Sequence, residues 1–79
     1  MTKQWRDMVY DKFLDCWMVV LDGGNRDYRI RCGETFNIHL GDGNEILCRM
    51  ELGFDWYIIV GINDTRFYLN PNETYQVKI

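Results

Sequence analysis

From residue 17 to residue 79, short runs of alternating apolar and polar residues are separated by corners of glycine, asparagine and aspartate. In the run 35–40, Phe36 and Ile38 alternate with Asn37. Because successive side chains of a β-strand point to opposite faces, this period of two predicts half-buried strands. Corners roughly 8–12 residues apart are typical of small antiparallel barrels. The sequence therefore predicts a mainly β fold, a strongly bent barrel of five to seven strands.

The predicted strands are the short periodic runs themselves. They cover 17–21, 27–32, 35–40, 45–51, 55–61, 66–69 and 74–79. The run 55–61 is apolar on both faces, which is typical of a strand buried on both sides or closing a barrel.

Two of the corners resemble loops that bind an ion or a phosphate. After Asp22-Gly23-Gly24-Asn25, Arg26 stands where a calcium loop would place another ligand. Gly41-Asp42-Gly43-Asn44 offers few side-chain oxygens, and neither corner precedes a helix. Asp-Gly and Gly-Asn pairs suit hairpin turns, which need positive φ. We predict that both corners are turns.

The first fifteen residues have a different period. Their apolar residues fall at offsets of 0, 3, 4 and 8, which is one stripe of an amphipathic helix: Trp5, Met8, Val9 and Phe13. Thr2 is a suitable N-cap. The sequence therefore predicts one domain over 1–79, with a helix at 2–15 and the barrel at 17–79.

Asp7, Asp11 and Asp15 would form a carboxylate stripe on that helix. Carboxylates four residues apart lie about 6 Å apart along a helix, which is close to the spacing of successive phosphates. The stripe could steer the protein onto a basic surface or mimic a phosphate ladder. An ordinary solvated helix face is the alternative interpretation.

The composition bounds the partners. The net charge is -3 and the pI is near 4.9, which disfavours a nucleic-acid coat or an anionic-membrane binder. The sequence contains neither an apolar run long enough to span a membrane nor a basic-then-apolar leader. The three cysteines, Cys16, Cys32 and Cys48, include no C-x-x-C pair, so reduced thiols in a cytoplasm fit better than a disulfide framework.

The residues that carry chemistry do not predict an enzyme. His39 falls on the outer face of its strand, whereas acid–base catalysis needs a sheltered partner. Cys32 and Cys48 share the phase of core residues, so we expect both to be buried. Three cysteines and one histidine have no zinc-site spacing. We therefore expect no catalytic residue, no metal and no cofactor.

Two further groups are candidate binding residues. Arg29, Arg31 and Arg49 share the outward phase of their strands, where they could grip phosphates, unless neighbouring carboxylates neutralise them. Trp56 and Tyr57 fall on opposite faces of one strand, so one of them must point out of the core or under the helix. Such an aromatic residue is either an interface anchor or a plug of the barrel.

The motifs RDYRI, RCGETFNI, CRME and DWYII within residues 17–79 resemble a family of short uncharacterised proteins, a domain-of-unknown-function family of Gram-positive bacteria, their phages and mobile elements. The resemblance implies an SH3-like β-barrel and supplies no catalytic or binding residues.

Together these features predict a non-enzymatic, cytoplasmic binding protein, a monomer or small homo-oligomer, that occludes or modulates a larger host protein. A nucleic-acid-handling defence enzyme is the most specific target, and the acidic stripe with Trp56 and Tyr57 would make the contact. The alternative is a nucleic-acid-binding barrel that uses Arg29, Arg31 and Arg49.

Overall fold

The computed structural model describes residues 4–21, 28–41 and 43–79. These residues form eight β-strands and no helix: β1 (Arg6–Asp11), β2 (Cys16–Val19), β3 (Tyr28–Ile30), β4 (Thr35–His39), β5 (Glu45–Leu52), β6 (Trp56–Val60), β7 (Thr65–Tyr68) and β8 (Tyr75–Lys78). Every pairing is antiparallel, in the order β3-β2-β1-β8-β4-β5-β6-β7. The prediction of a mainly β fold is confirmed.

The predicted helix at 2–15 is wrong. Its described part is β1, which pairs with β2 on one edge and with β8 on the other. Met8 and Tyr10, two residues apart, face the core, whereas Asp7 and Asp11 face outward. Because β1 is paired along both edges, its backbone N–H and C=O groups are hydrogen-bonded and one of its faces is buried. This long-range pairing outweighs the helical spacing of the apolar residues.

The prediction of a closed barrel of five to seven strands is also wrong. Among the described strands, β3 and β7 end the order, and each of them pairs with one neighbour only. The strand that was not among the seven predicted ones is β1. The last strand, β8, lies between β1 and β4. The result is one open sheet whose central strands come from the two ends of the sequence.

One face of the sheet carries the core. Residues that pair directly across strands share a face, and the fully buried pairs Ile38–Val77 and Met50–Ile58 mark the inner one. The buried cluster consists of Met8, Trp17, Val19, Ile30, Phe36, Ile38, Cys48, Met50, Ile58, Leu69 and Val77. The other face is the outer face.

The sheet bends back so that strands distant in the order meet over this core. The rings of Phe67 in β7 and Tyr75 in β8 are 6.4 Å apart, although β4, β5 and β6 lie between those strands. The Tyr75 hydroxyl also accepts a hydrogen bond of 2.9 Å from the backbone N–H of Asn70, which follows β7. The bend thereby encloses the inner face without closing the sheet.

The described part of the β4–β5 corner is a turn, as predicted. Gly41 and Gly43 have φ values of 104° and 73°, and the N–H of Asn44 donates to the carbonyl of Gly41 at 3.1 Å. Asp42 and the corner at 22–25 lie outside the described residues.

Candidate functional site

The turn between β1 and β2 is built by two aspartates. The Oδ1 atom of Asp11 accepts hydrogen bonds from the backbone N–H groups of Phe13 (3.0 Å) and Leu14 (3.1 Å). Asp15 has a φ of 50°, a left-handed conformation that aspartate tolerates better than most residues. This geometry returns the chain into β2 and exposes Phe13 and Leu14 at the tip.

The Asp15 carboxylate links this turn to the start of β6. The Tyr10 hydroxyl donates to Asp15 Oδ1 at 2.6 Å, and Trp56 Nε1 donates to the same oxygen at 3.2 Å. Trp56 is 41 residues from Asp15 in sequence. The link therefore joins two distant segments at one end of the bent sheet.

These hydrogen bonds fix the charge of the site. The bond from the Tyr10 hydroxyl, followed by the bond from Trp56, lowers the pKa of the Asp15 carboxyl below its usual value of 3.8. The same bond to Asp15 raises the pKa of Tyr10 above 10.0. Near neutral pH the site therefore holds a carboxylate beside a protonated phenol.

A cavity of about 290 Å³ opens beside this link. Five of the residues that line it are aromatic, and two others carry carboxylates. We call it the aromatic cavity, and its lining residues are Tyr10, Asp15, Trp17, Phe54, Asp55, Trp56, Tyr68, Leu69 and Pro71.

A second cavity, of about 460 Å³, shares Asp15 and Trp56 as a wall. We call it the arginine cavity because Arg29 and Arg31 line it, together with Leu14, Ile30, Cys32 and Leu52. The positive charge of Arg29 also lowers the pKa of Asp15, although less than the hydrogen bonds do.

Exposed apolar side chains occur in the two turns that border these cavities. Phe13 and Leu14 extend from the β1–β2 turn, and Leu52 and Phe54 lie at the β5–β6 turn; all four are exposed. We call these four residues the apolar end. Phe54 is fully exposed although its ring lies at the mouth of the aromatic cavity. This end therefore combines exposed apolar surface with a charged, concave centre.

The structure separates the three predicted aspartates. In a strand, Asp7 and Asp11 are about 13 Å apart along the chain, not one helical turn. Asp7 accepts a hydrogen bond from the Gln76 side chain, and Asp11 caps the β1–β2 turn. Only Asp15 reaches a cavity. The continuous acidic stripe does not form.

Trp56 and Tyr57 lie on opposite faces, as predicted. Trp56 packs against the core and donates to Asp15. Tyr57 lies on the outer face, where its ring is 5.2 Å from that of Tyr68 and the Arg66 guanidinium lies 4.9 Å above it. Trp56 thus belongs to the candidate site, whereas Tyr57 supports its neighbour Tyr68.

The three predicted arginines do not form one face. Arg29 and Arg31 line the same cavity, but Arg49 belongs to β5, and four strands separate β5 from β3 in the sheet order. Arg49 forms an ion pair of 3.8 Å with Glu51 on its own strand.

The histidine and the cysteines lie apart from the cavities, except for Cys32. His39 packs against the ring of Trp5 on the outer face. Cys48 is buried as predicted, and burial raises its pKa to about 12. Cys32 is exposed, contrary to the prediction, because it follows the end of β3 and enters a turn. No group of three potential metal ligands occurs among the described residues.

Sequence reasoning missed the aromatic wall of the site. Tyr10, Trp17 and Phe54 come from three separate segments, and no local spacing connects them. One sequence signal could have indicated the turn that holds Asp15. The acidic segment Asp11–Asp15 stands between two apolar runs, as a four-residue hairpin loop does.

Within the described part of the chain, no helix is long and apolar enough to cross a membrane. A search of curated proteins and a search of solved structures found no significant match. A family model described as a domain of unknown function, DUF5348, matches residues 6–79. The chain therefore belongs to the DUF5348 family.

Proposed function

We propose that this protein is a non-enzymatic binding protein that docks on a larger host protein through the apolar end. The observation that supports this best is the exposure of four large apolar side chains around the Asp15–Trp56 link. Contiguous exposed apolar surface is typical of protein-binding sites. Aromatic residues beside a cavity are common anchors of such interfaces.

The chemistry of the two buried thiols and of the histidine favours binding over catalysis. A nucleophilic thiol needs a low pKa and a base, but burial raises the pKa of both Cys16 and Cys48. Among the described residues, His39 contacts an aromatic ring and the backbone N–H of Gly41 rather than a thiol or a carboxylate. None of these groups faces the aromatic cavity.

Origin in a phage or mobile element, action in the cytoplasm and inhibition of a nucleic-acid-handling enzyme remain predictions from the sequence. Inhibition was predicted from the acidic stripe, the net charge and the genomic setting of the family, and the fold does not contain the helical stripe. Our proposal depends on the apolar end instead. Of the predicted contact residues it retains Asp15 and Trp56.

Nucleic-acid binding is the second candidate, and the arginine cavity favours it. Arg29 and Arg31 lie in one cavity with Trp56, a combination that suits a phosphate beside a stacked base. The net charge of -3 opposes this alternative. Arg49 has no part in it, because it lies on β5, far from β3 in the sheet order, and pairs there with Glu51.

Two surface variants test the proposal. Phe54 and Ile62 are both almost fully exposed and lie in turns at opposite ends of β6, so aspartate at either position leaves the core intact. Wild-type, Phe54→Asp and Ile62→Asp proteins are used as baits in host lysate, with and without nuclease. We expect a stoichiometric protein that survives nuclease, is lost with Phe54→Asp and is retained with Ile62→Asp.

Other outcomes contradict the proposal. Capture that Ile62→Asp abolishes and Phe54→Asp leaves unchanged would place the interface at the opposite end. Capture that disappears with nuclease, and also in an Arg29→Ala/Arg31→Ala variant, would establish nucleic-acid binding instead.

A further inference from the structure

The described lining of the aromatic cavity combines aromatic residues with negative charge. It contains five aromatic residues and the carboxylates of Asp15 and Asp55, and no lysine or arginine is among its described lining residues. Aromatic rings are negative on their faces, so a ring-lined site with carboxylates attracts an organic cation. A metal ion would need several oxygen ligands, which this wall lacks.

One carboxylate oxygen is left for such a cation. Within the described part of the chain, both hydrogen bonds to Asp15 reach Oδ1, from Tyr10 and from Trp56. They hold the carboxylate in place and leave Oδ2 without a donor. A cationic donor at Oδ2 would form a charge-assisted hydrogen bond, which is stronger than a neutral one.

A second, independent observation concerns Trp17. Its ring lines the aromatic cavity, it is fully buried, and its Nε1 is the one buried side-chain nitrogen or oxygen of the described residues without a hydrogen-bond partner. Buried donors in folded proteins almost always have a partner. An indole N–H only donates, so its partner would be an acceptor atom.

We infer that the aromatic cavity binds the guanidinium group of an arginine side chain that projects from the partner protein. A guanidinium is planar, weakly hydrated and able to stack on rings while it donates to a carboxylate. The ring part of this contact already occurs in the protein, because the Arg66 guanidinium lies 4.9 Å from the centre of the Tyr57 ring. A guanidinium has no acceptor, so the acceptor for Trp17 would be a main-chain carbonyl oxygen of the arginine residue that carries the guanidinium. A volume of about 290 Å³ suits one side chain better than a larger cofactor.

This inference rests on the proposed function, and a small probe tests it without the partner. The full ¹⁵N-labelled chain is titrated with Nα-acetyl-arginine-N-methylamide, and the three indole N–H signals are followed by NMR. We expect saturable shifts for Trp17 and Trp56, with a Kd on the order of 1 mM for one side chain. Trp5 is the internal reference, because it packs against His39 and Lys78 rather than at the cavity.

A matched pair of variants identifies the carboxylate. Asp15→Asn keeps an Oδ1 acceptor and the tolerance for positive φ but loses the charge. We therefore expect the Kd for the probe to rise by about tenfold. Asp64→Asn makes the same change in the β6–β7 turn, at the other aspartate of the described residues with positive φ, 52°. That variant should bind the probe as the wild type does.

Three results would overturn the inference: no saturable shift, equal affinity in Asp15→Asn and wild type, or equal or tighter binding of Nα-acetyl-lysine-N-methylamide. The last would assign the cavity to an alkylammonium instead. A failed titration together with capture that depends on Phe54 would refute this inference and leave the proposed function standing. A successful titration with capture that ignores Phe54 would refute the proposed function and leave the cation site standing.

Discussion

Three isoleucines in and just after β6 differ in burial, so the same substitution, isoleucine to valine, can be compared at a buried, a half-buried and an exposed position. Ile58 is fully buried on the inner face, Ile59 is half-buried on the outer face, and Ile62 is almost fully exposed in the next turn. Isoleucine to valine removes one methylene and keeps the branched Cβ, so the strand propensity hardly changes. Differences among the three variants therefore measure burial alone.

We expect Ile58→Val to lower the free energy of unfolding by about 1 kcal/mol. One buried methylene contributes about 0.8 kcal/mol, and incomplete relaxation around Met50 adds a smaller cavity contribution. For a domain of this size, about 1 kcal/mol lowers Tm by about 4–8 °C. The total stability of such a chain is about 4–12 kcal/mol, so the variant stays folded and measurable.

Thermal unfolding followed by near-UV circular dichroism gives the three Tm values. Ile62→Val should lie within about 0.5 kcal/mol of the wild type, and Ile59→Val between the other two. A larger loss for Ile59→Val than for Ile58→Val would refute the reasoning, because a shift of one residue exchanges the two faces of a strand. Equal small losses at all three positions would refute a packed core beneath β6.

Three more expectations follow from the described residues. Gly61→Ala should destabilise the protein by about 1–2 kcal/mol in urea unfolding, because Gly61 has a φ of 75° and a Cβ there would have open space, so only backbone strain acts. At pH 8, a thiol reagent followed by mass spectrometry should modify Cys32 quickly and Cys48 only after unfolding, because burial raises the pKa of Cys48 to about 12. The hydrogen bond from Tyr10 lowers the pKa of Asp15 in the folded protein. The stability that this bond contributes is therefore complete above pH 3.8 and is lost as the pH falls through the lower pKa of the folded state. Tyr10→Phe should move the NMR titration midpoint of Asp15 back toward 3.8.

Each of these has a control within the chain. Gly53→Ala introduces the same methyl without a positive φ, and its Cβ would lie at an ordinary 3.6 Å from the Tyr57 ring. Cys16, which is also buried, should resist labelling as Cys48 does. Rapid labelling of all three thiols, or an Asp15 midpoint that ignores Tyr10→Phe, would contradict the packing described for that residue.

The strands from residue 17 onward could be predicted because alternation is a local signal. Ile38 and Cys48 are inward-facing wherever their strands lie in the sheet, so the buried face follows from the period alone. The order of the strands could not be predicted in this way. That β8 separates β1 from β4 depends on pairing such as Ile38 with Val77, which no short window of sequence contains.

The first segment was mispredicted because a short apolar pattern fits two periods. Met8 and Val9 complete a helical stripe with Trp5, but Met8 and Tyr10 equally complete the inner face of a strand. Strand-favouring residues and an aspartate-rich turn supported the second interpretation. What decided between them was the pair of neighbouring strands, β2 and β8, which the sequence pattern did not specify.

The fate of the three aspartates shows why residue type and spacing alone did not locate the site. Asp7 accepts a hydrogen bond from Gln76, Asp11 caps a turn, and Asp15 closes the cavity with Tyr10 and Trp56. The three aspartates that were predicted to form one surface therefore have three separate structural roles. Replacing all three together would mix the effects of those roles in one measurement. Of these three aspartates, only Asp15 lines the aromatic cavity, where Asp55 is the second carboxylate, so the inferred cation site depends on Asp15 and on the turn that holds it in place.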